Sequence, residues 1–365
     1  MRVALLTEIA APYRIPLFNA LAERVDFRAL FLAQADPRRP FYEPHRDEWR
    51  FDHRFLPGRG LRRGGRWVVL NRGVLRELRS FRPDAVGVGG WNQPAFWEAL
   101  VYCRLHRVPL LVWVESTAHD LRPGTAPLEL AKRVLIRGAS GFFVPGRAAA
   151  GYVRSFGVPE ERIALAPNAI DDSLFARAAV DRGGRSGCTF LYAGRLDPEK
   201  GIDVLLEALE QVPGELVLAG SGSGEERLRA LASDRVRFLG PLDRDELVAC
   251  YAAADAFVLP SRSEPWGIVL NEAAAAGLPL VATEAVGAAH DLIEEGVNGF
   301  RVPVGDERAL AAALRRIAED LGFRAAAGAR SLEVSRRFTP DAWADGVVRL
   351  AIDAAGRRSR RTGRP

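Results

Sequence analysis

Two cations lie close together in the second half of the chain, around the start of a predicted helix. The stretch 194–201 reads GRLDPEKG and separates a short apolar strand from an amphipathic helix. It carries Arg195 and Lys200, the latter one of only two lysines in the sequence. Helix-start amides and the helix dipole favour an anion, and an arginine fork beside a lysine suits a diphosphate. The alternative is a surface loop in which Lys200 pairs with Glu199 or Asp203.

Two glutamates follow, eight residues apart. Glu264 precedes a proline, which holds it extended in a loop. Glu272 lies in the second turn of a helix predicted from about Gly267 to Ala276, which is apolar nearly all round and therefore buried. Because a buried glutamate needs hydrogen-bond donors, we expect Glu272 to bind two ribose hydroxyls and Glu264 to bind a second sugar. A solvated helix glutamate is the alternative for Glu272.

A glycine-rich loop lies between these two motifs. Residues 219–224 read AGSGSG and connect a predicted strand to a predicted helix. Glycines allow backbone amides to approach a phosphate or a ribose closely. The loop is not the dinucleotide-binding fingerprint, because Glu225 occupies the position of its third glycine. A tight strand-to-helix turn explains the loop equally well.

All three loops follow predicted strands in a chain that alternates short apolar runs with helical patterns. Strands are expected at 3–6, 27–32, 85–88, 110–114, 141–144, 189–193, 215–219, 236–239, 256–259 and 280–282. Such alternation is typical of parallel sheets with helices on both faces, and ligands bind beyond the carboxyl ends of their strands. A polar stretch at 181–187 interrupts the rhythm. The sequence therefore predicts an α/β protein of two doubly wound domains joined by a linker.

Composition excludes several classes of protein and indicates a compartment. Of 365 residues, 48% are hydrophobic and 27% are charged, which excludes disordered, collagenous and coiled-coil chains. The three cysteines are far apart, so they predict no metal site, no disulfide framework and a reducing cytoplasm. The first residues are too briefly apolar for a signal peptide, and no run of about 18 apolar residues predicts a membrane helix.

Charge is distributed unevenly along the chain. Residues 1–170 carry a net charge of +10, residues 171–345 carry −10, and residues 346–365 carry +5. The basic half could face anionic lipid, a phosphorylated acceptor or nucleic acid, or it is a solvated arginine surface. Within it, the aromatic and arginine-rich stretch 41–67 fits three interpretations: membrane docking, a strand and loop with extended arginines, or RNA stacking. No RNA-module signature accompanies it, so no nucleic-acid partner is predicted.

Together, the loops resemble the nucleotide-sugar site of the retaining glycosyltransferases of family 4, which have the two-domain GT-B fold. The resemblance covers most of 188–305 and includes the GRLDPEKG loop and the pair of glutamates eight apart. It continues through APNAID at 166–171, FLG at 238–240, GAAHD at 287–291 and GVNG at 296–299. The start of the chain departs from the common glycine pair and resembles a bacterial subgroup with a PYRxPLF helix.

The resemblance implies a role for each matching residue. Arg195 and Lys200 would bind the donor diphosphate and neutralise the leaving nucleotide, as catalytic residues. Glu272 would hold the ribose, and Glu264 would position the transferred sugar. The other donor-binding residues implied are Gly194, Gly222, Phe238, Leu239, Trp266, Gly267 and Ile268. Protein cations would replace a metal, so neither a metal nor a cofactor is expected.

Assignments in the first half are less specific. His119 would contact the transferred sugar, or it is a loop histidine bonded to Asp120. Arg14 would touch an acceptor or the donor phosphate, or it supports packing under Tyr13. The remaining acceptor-side candidates are Glu115, Trp91 and Asn92. Trp91 and Asn92 belong to a post-strand loop that could equally be a turn with Trp91 in packing.

The resemblance also implies domain limits. We expect an acceptor-binding Rossmann-like domain at 1–170, a linker at 171–187 and a nucleotide-sugar-binding Rossmann-like domain at 188–337. A helix at 338–356 should cross back to the first domain, and a basic tail at 357–365 should be disordered.

The implied function is metal-independent transfer of a sugar, with retention, from a nucleotide-diphosphate-sugar to an envelope glycan or glycolipid. The enzyme would be cytoplasmic and could dock on the inner membrane face. The alternatives are a nucleotide-sugar epimerase of the same fold and a non-catalytic nucleotide-sugar-binding subunit.

Overall fold

The computed structural model describes residues 1–35, 46–63, 66–120, 126–176, 178 and 187–362. The first domain is built around a seven-stranded parallel sheet and an antiparallel hairpin. Its strands are β1 (Arg2–Thr7), β2 (Asp26–Phe31), β3 (Asp52–Phe55), β4 (Gly58–Arg63), β5 (Arg66–Asn71), β6 (Ala85–Val88), β7 (Leu110–Trp113), β8 (Gly141–Val144) and β9 (Ile163–Leu165). The sheet order is β3–β2–β1–β6–β7–β8–β9, and β4 pairs with β5. The central strands are buried on both faces, which explains their continuous apolar runs.

Helices cover both faces of this sheet. They are α1 (Ile15–Ala22), α2 (Val74–Phe81), α3 (Pro94–His106), α4 (Ala126–Gly138) and α5 (Arg147–Arg154), with 3₁₀ turns at Pro12–Arg14, Arg46–Glu48 and Glu160–Arg162. The order of the strands reverses between β1 and β6, so consecutive connections leave this point in opposite directions. In such sheets that reversal opens a crevice at the carboxyl ends of the strands.

The second domain repeats the design. Its strands are β10 (Thr189–Ala193), β11 (Glu215–Ala219), β12 (Val236–Gly240), β13 (Ala256–Leu259), β14 (Leu280–Thr283) and β15 (Gly299–Val302), all parallel, in the order β12–β11–β10–β13–β14–β15. Its helices are α6 (Asp172–Ala176), α7 (Ile202–Leu209), α8 (Glu225–Leu231), α9 (Arg244–Ala253), α10 (Ile268–Ala275), α11 (Ala289–Leu292), α12 (Glu307–Glu319) and α13 (Leu321–Ser335). The prediction of two doubly wound domains is confirmed.

The last helix, α14 (Pro340–Thr362), returns to the first domain. Trp343 is fully buried there, with its ring 5.3 Å from Trp113 and 6.0 Å from Phe18. The predicted crossing helix is therefore confirmed, but disorder from residue 357 is wrong as far as Thr362. The helix continues because Arg357 still has partners, donating hydrogen bonds to the carbonyl oxygens of Glu161 and Ser140. Residues 363–365 lie outside the described residues.

The linker predicted at 171–187 is partly helical. Phe175 of α6 is buried in the core of the second domain and packs edge-on against Tyr251, with ring centroids 5.6 Å apart. The start of this segment therefore belongs to the second domain, because its apolar side chains complete that core. Residues 177 and 179–186 lie outside the described residues.

The described residues of the aromatic stretch 41–67, namely 46–63, 66 and 67, form part of the first domain. Phe51 and Trp67 are buried, and Phe51 stacks on Trp49 at 5.4 Å and meets Phe18 edge-on at 5.5 Å. Rings held in the core cannot also stack on RNA bases or enter a membrane, so the strand-and-loop interpretation is the correct one for them. Residues 36–45 lie outside the described residues. Among the helices that the structure describes, none is both long enough and apolar enough to cross a lipid bilayer.

Candidate active site

Lys200 and Glu264 meet where the strand order of the second sheet reverses. The loop after β10 carries Lys200, and the loop after the adjacent β13 carries Glu264. The two loops lie close together because these parallel strands end at the same edge of the sheet. The Nζ atom of Lys200 lies 2.5 Å from Oε2 of Glu264, and Lys200 is buried. Its partner is therefore neither Asp203 nor chiefly Glu199, whose Oε1 lies 4.0 Å away. The structure joins one predicted cation to one predicted glutamate.

Arg195 is held by its own loop. Its guanidinium pairs with Asp197 and Glu199, and more than half of its side chain is exposed. The phenol of Tyr192 donates a 2.6 Å hydrogen bond to the carbonyl oxygen of Arg195, which fixes the backbone at the end of β10. Arg195 thus has an anchored backbone and an exposed cationic head, a combination that allows the head to reorient toward an anion.

The glycine-rich loop packs directly on the GRLDPEKG loop. Asp197 Oδ1 accepts hydrogen bonds of 2.9 Å from both the amide and the hydroxyl of Ser223. Burial disfavours its charge, but these bonds and the Arg195 guanidinium outweigh burial and lower the pKa of Asp197. A Cβ on Gly222 would stand 2.6 Å from the backbone of Leu196. The glycine is therefore needed for close packing, which supports the tight-turn interpretation of this loop.

Glu272 lies on α10 and is half-buried. Its Oε2 accepts a 2.8 Å hydrogen bond from the phenol of the fully buried Tyr251. Burial raises the pKa of Glu272 to about 7, although the Tyr251 bond acts in the opposite direction. Its side chain is half-buried, so it is neither the fully buried glutamate that we expected nor a freely solvated one. A carboxylate so poorly solvated gains strongly from hydroxyl donors such as those of a ribose.

The segment that connects Glu264 to α10 is fastened at several points. The amide of Gly287 donates to the Glu264 carbonyl at 3.0 Å, and the amide of Ala288 donates to the Trp266 carbonyl at 2.9 Å. Gly267 has φ +92°, and a Cβ there would stand 2.9 Å from Leu259. As the N-cap of α10, Gly267 supplies no side chain to bond the first amides of the helix. The amide of Ile268, the first residue of α10, therefore receives no hydrogen bond from an N-cap side chain.

A chain of hydrogen bonds connects this segment to the first domain. Trp266 Nε1 donates to Asn271 Oδ1 at 2.9 Å, and Asn271 Nδ2 donates to the Asn168 carbonyl at 3.0 Å. Asn168 Nδ2 then donates to Glu115 Oε1 at 2.8 Å, and Glu115 Oε2 pairs with Arg14 at 2.9 Å. Asn168 and Asn271 were not among the predicted site residues. The signal available for Asn271 was its position beside Glu272 in a helix whose other residues are all apolar.

Arg14 and Glu115, two acceptor-side candidates, form an ion pair within the first domain. Their contact with an acceptor stays a prediction. The Arg14 guanidinium also lies 4.3 Å from the ring of Trp113 and 5.6 Å from that of Tyr13. Packing under Tyr13 is therefore the minor part of its environment, because Trp113 is the closer ring.

A second bond crosses between the domains at the start of α5. Asp291 Oδ2 accepts a 2.9 Å hydrogen bond from the amide of Arg147. Burial raises the pKa of Asp291, while this bond and the Arg147 charge oppose the rise. A Cβ on Gly146 would stand 2.2 Å from the carboxylate, so only glycine permits the contact. Asp291 of the second domain thus caps α5 of the first domain.

The remaining candidates of the first domain lie on post-strand loops. The ring of His119 is exposed, and its amide donates to Thr117 Oγ1 at 3.3 Å, so a sugar-contacting role stays a prediction. Asn92 and Gln93 both donate to Glu8 Oε1, at 2.7 and 2.6 Å. Glu8 follows β1, and Asn92 and Gln93 follow β6. The strand order of the first sheet reverses between these two strands. Glu8 was not predicted.

Comparisons with known proteins identify the family. Residues 17–174 match the model described as Glycosyltransferase Family 4, and residues 187–320 match that described as Glycosyl transferases group 1. A D-inositol 3-phosphate glycosyltransferase of Xylanimonas cellulosilytica is 35% identical over 306 residues, covering 75% of this chain and 71% of that protein. The chain belongs to glycosyltransferase family 4.

Other relatives of this family 4 glycosyltransferase agree. Glycogen synthase of Mycobacterium tuberculosis is 32% identical over 281 residues, which span 72% of this chain and 66% of that relative. The crystal structure of Anabaena Alr3699/HepE in complex with UDP has a TM-score of 0.75 at 22% identity, covering 99% of this chain and 100% of that one. The predictions of a GT-B fold and of a sugar-transferring enzyme are thereby confirmed.

The donor-binding role of Phe238 and Leu239 in this family 4 glycosyltransferase stays a prediction. Phe238 and Leu239 lie at the end of β12, the edge strand of the second sheet, and both are half-buried. The guanidinium of Arg229 lies 4.3 Å from the ring of Phe238. A nucleotide base at this edge would therefore have to share the Phe238 ring with Arg229 or displace it.

Proposed function

We propose that this family 4 glycosyltransferase moves a sugar from a nucleotide-diphosphate-sugar to a cell-envelope glycan or glycolipid, with retention and without a metal. The observation that carries the proposal is the contact between Lys200 and Glu264 at the crevice of the second domain. It sets a buried ammonium beside the carboxylate predicted to hold the sugar. An ammonium at this position stabilises the negative charge that develops on the phosphate as its bond to the sugar breaks.

Charge compensation supports the phosphate part of the proposal. A diphosphate entering beside Lys200 competes with Glu264 for the ammonium, and the exposed Arg195 can turn from Asp197 and Glu199 toward the same oxygens. The amides at the start of α10 add the positive end of a helix. These groups stabilise the charge that develops on the leaving nucleotide and would take the place of a divalent cation.

The proposed reaction needs no side-chain nucleophile. The bond between the anomeric carbon and the phosphate oxygen breaks, and an acceptor hydroxyl forms the new bond on the same face of the sugar. The hydroxyl proton passes to the departing phosphate oxygen, so atoms and charges balance and the anomeric configuration is kept. Glu264 orients the sugar hydroxyls, and Glu272 holds the ribose.

The activities of relatives support the choice of substrates. Matched proteins include a D-inositol 3-phosphate glycosyltransferase and, at 38% identity over 183 residues, a phosphatidyl-myo-inositol mannosyltransferase of Mycolicibacterium smegmatis. The net charge of +10 in residues 1–170 suits an anionic acceptor and peripheral contact with the inner membrane face. We therefore propose that the reaction takes place at the cytoplasmic face of a membrane, with no nucleic-acid partner.

A thermal-shift screen against UDP-, GDP- and ADP-sugars, with and without EDTA, tests the donor and the metal independence together. We expect one nucleotide series to raise Tm equally in both conditions. Proton NMR of the product then reports the anomeric configuration. Inversion, or a donor-induced shift that EDTA abolishes, would contradict the proposal.

A further inference from the structure

Arg262 joins the two loops that carry Lys200 and Glu264. It lies on the loop after β13, two residues before Glu264, and 33% of its side chain is exposed. Its guanidinium reaches the GRLDPEKG loop, where Nη1 donates a 2.7 Å hydrogen bond to the carbonyl oxygen of Pro198. It also pairs with Asp203, with Nη1 2.9 Å from Oδ1 and Nη2 3.1 Å from Oδ2. Pro198 and Asp203 lie on either side of Lys200 in the sequence, so one guanidinium holds both flanks of the lysine.

The backbones of the same two loops are also in contact. The amide of Arg262 donates to the Glu199 carbonyl at 2.8 Å. Gly201, which follows Lys200, has φ +67°, and a Cβ there would stand 2.2 Å from the carbonyl oxygen of Pro260. A side chain at this position would force the two loops apart, so glycine is required. The position of Lys200 is therefore set by the loop after β13 as well as by its own loop.

The pair between Arg262 and Asp203 has a defined geometry. Burial disfavours the charged form of Asp203, but the hydrogen bond and the charge of Arg262, together with weaker partners, outweigh burial and lower the pKa of Asp203. One of these partners is Arg227, which lies 3.5 Å from the carboxylate. Because the arginine fork meets both carboxylate oxygens, the pair favours one arrangement. Asp203 lies in the first turn of α7, so Arg262 is tied to a helix.

Arg262 differs in this respect from Arg195. The side chain of Arg195 is 57% exposed and pairs with carboxylates of its own loop, whereas the guanidinium of Arg262 is bonded across two loops. To bind the donor diphosphate, Arg262 would have to give up its bonds to Pro198 and Asp203 and release the flanks of Lys200. The contacts of Arg262 therefore favour a role in holding the lysine over direct contact with the donor.

We propose that Arg262 is a positioning residue, which holds the ammonium of Lys200 against Glu264 before the donor binds. The inference rests on the proposed function for the catalytic role of Lys200, and it adds the residue that sets the geometry of that site. Charged groups stabilise a transition state best when they are already in place, because no reorganisation is then needed as charge develops. Loss of Arg262 should therefore lower the rate of bond breaking more than it weakens donor binding.

Steady-state kinetics of Arg262→Ala separate these two effects. With the donor found in the thermal-shift screen, we expect kcat to fall at least tenfold. KM for the donor should change less than threefold, because Arg195 and Glu272 remain to bind the donor. Arg262→Lys keeps a cation beside Asp203 but lacks the fork, so its kcat should lie between those of Arg262→Ala and the unaltered chain. A rise in KM with kcat unchanged would overturn the proposal, in favour of direct contact between Arg262 and the donor.

Combination with Lys200→Met shows whether Arg262 acts through the lysine. In the Lys200→Met background, the further substitution Arg262→Ala should change kcat less than twofold, because no ammonium remains to be positioned. A further tenfold loss of kcat in the double variant would show that the two residues act independently, and would overturn the proposal.

Arg235→Ala is the matched control within the same domain. The side chain of Arg235 is 31% exposed, donates to the carbonyl oxygens of Leu209 and Val212, and pairs with Glu210 at 3.3 Å. Its loss should lower Tm to a similar extent and leave kcat within twofold of that of the unaltered chain. An equal fall in kcat in both variants would show that Arg262→Ala acts only through general stability, and would overturn the proposal.

Hydrogen exchange tests the positioning without catalysis. The amides of Lys200 and Gly201 are hydrogen-bonded within the turn that Arg262 holds. They should exchange at least tenfold faster in Arg262→Ala than in the unaltered chain, and at the normal rate in Arg235→Ala. If this result is found in a chain that consumes no nucleotide-sugar, the proposed function fails and the positioning of Lys200 by Arg262 stands. Normal exchange of both amides in Arg262→Ala would overturn the positioning and leave the proposed function intact.

Discussion

The ammonium of Lys200 lies 2.5 Å from Oε2 of Glu264, across the point where the second sheet reverses its strand order. The two residues are 64 positions apart, and both are mostly shielded from water. Each charge is therefore compensated by the other. A bound diphosphate would offer Lys200 a stronger partner and leave Glu264 to the hydroxyls of the sugar.

Replacing Lys200 by methionine should reduce donor turnover at least 100-fold. Loss of one preorganised donor to a developing anion typically costs about 3–4 kcal/mol of transition-state stabilisation. Steady-state kinetics with the donor found in the thermal-shift screen measures the effect. Arg28→Met is the matched control, because Arg28 is also mostly buried and pairs with Asp52 at 2.6 Å, on the other domain. Turnover within threefold of normal in Lys200→Met would exclude a catalytic ammonium.

Replacing Arg195 by alanine should separate activity from stability. Its pairs with Asp197 and Glu199 are exposed, so their loss should change the free energy of unfolding by less than about 1 kcal/mol. Turnover should nevertheless fall at least tenfold, since the guanidinium is proposed to bind the diphosphate. Arg154→Ala removes a comparable exposed pair with Glu160 and should alter neither quantity. Unchanged turnover in Arg195→Ala would show that Arg195 only stabilises its loop and does not bind the diphosphate.

Glu272 makes a definite prediction about pH. Its pKa is about 7 in the folded protein against 4.5 as the ordinary value, so between these values the folded state binds more protons than the unfolded state. Stability should therefore fall as the pH rises through this window, by about 3 kcal/mol in all. Glu272→Gln should be more stable than the unaltered chain at pH 8 and similar to it below pH 4.5.

Denaturant unfolding at a series of pH values measures this difference. The control is Glu207→Gln on α7, where Glu207 is exposed, and it should follow the unaltered chain at every pH. A Glu272→Gln variant that is less stable at pH 8 would show that the carboxylate is well solvated or better bonded than its surroundings indicate.

Asn271→Ala should weaken the connection between the domains. It leaves the buried Trp266 N–H without its acceptor and removes the bond to the Asn168 carbonyl, at a cost of about 1–3 kcal/mol. Asn298→Ala is matched for residue type and burial, because Asn298 is wholly buried and bonds only within the second domain, to Leu292 and Glu294 among others. Both variants should lower Tm.

Turnover distinguishes the two asparagine variants. At a temperature where both remain folded, kcat should fall at least fivefold in Asn271→Ala alone, because, of the two asparagines, it is Asn271 that bonds both Trp266 and the first domain. Equal kcat values in the two variants would show that the chain of hydrogen bonds has only a structural role.

Local features could be predicted from sequence to within a residue or two. Strands β10 and β11 begin and end where predicted, because short apolar runs between turns have few alternatives when both faces of a sheet are covered. The meeting of Lys200 and Glu264 followed from the rule that such loops share one edge of the sheet. The apolar residues of α10 predicted a buried helix, and Leu270 and Ala273–Ala275 are buried, whereas Glu272 itself is half-buried.

Features that depend on side-chain direction could not be predicted. Arg14 and Glu115 are 101 positions apart, and Asn168 and Asn271 are 103 apart, so no local pattern indicates that they bond. The aromatic rings of residues 49–55 resemble those of a docking surface in composition, and only packing against Phe31 and Phe18 shows that they belong to the core.

The return of α14 to the first domain has a consequence for biosynthesis. Trp343, Val347 and Leu350 pack against the apolar cluster that contains Phe18 and Phe143. This cluster therefore stays partly uncovered until nearly the whole polypeptide has left the ribosome. The first domain to be synthesised is thus the last to be completed. During translation its exposed aromatic face should engage chaperones, and ribosome-bound chains that stop before residue 340 should be cut by protease within residues 1–170 even though these are fully synthesised.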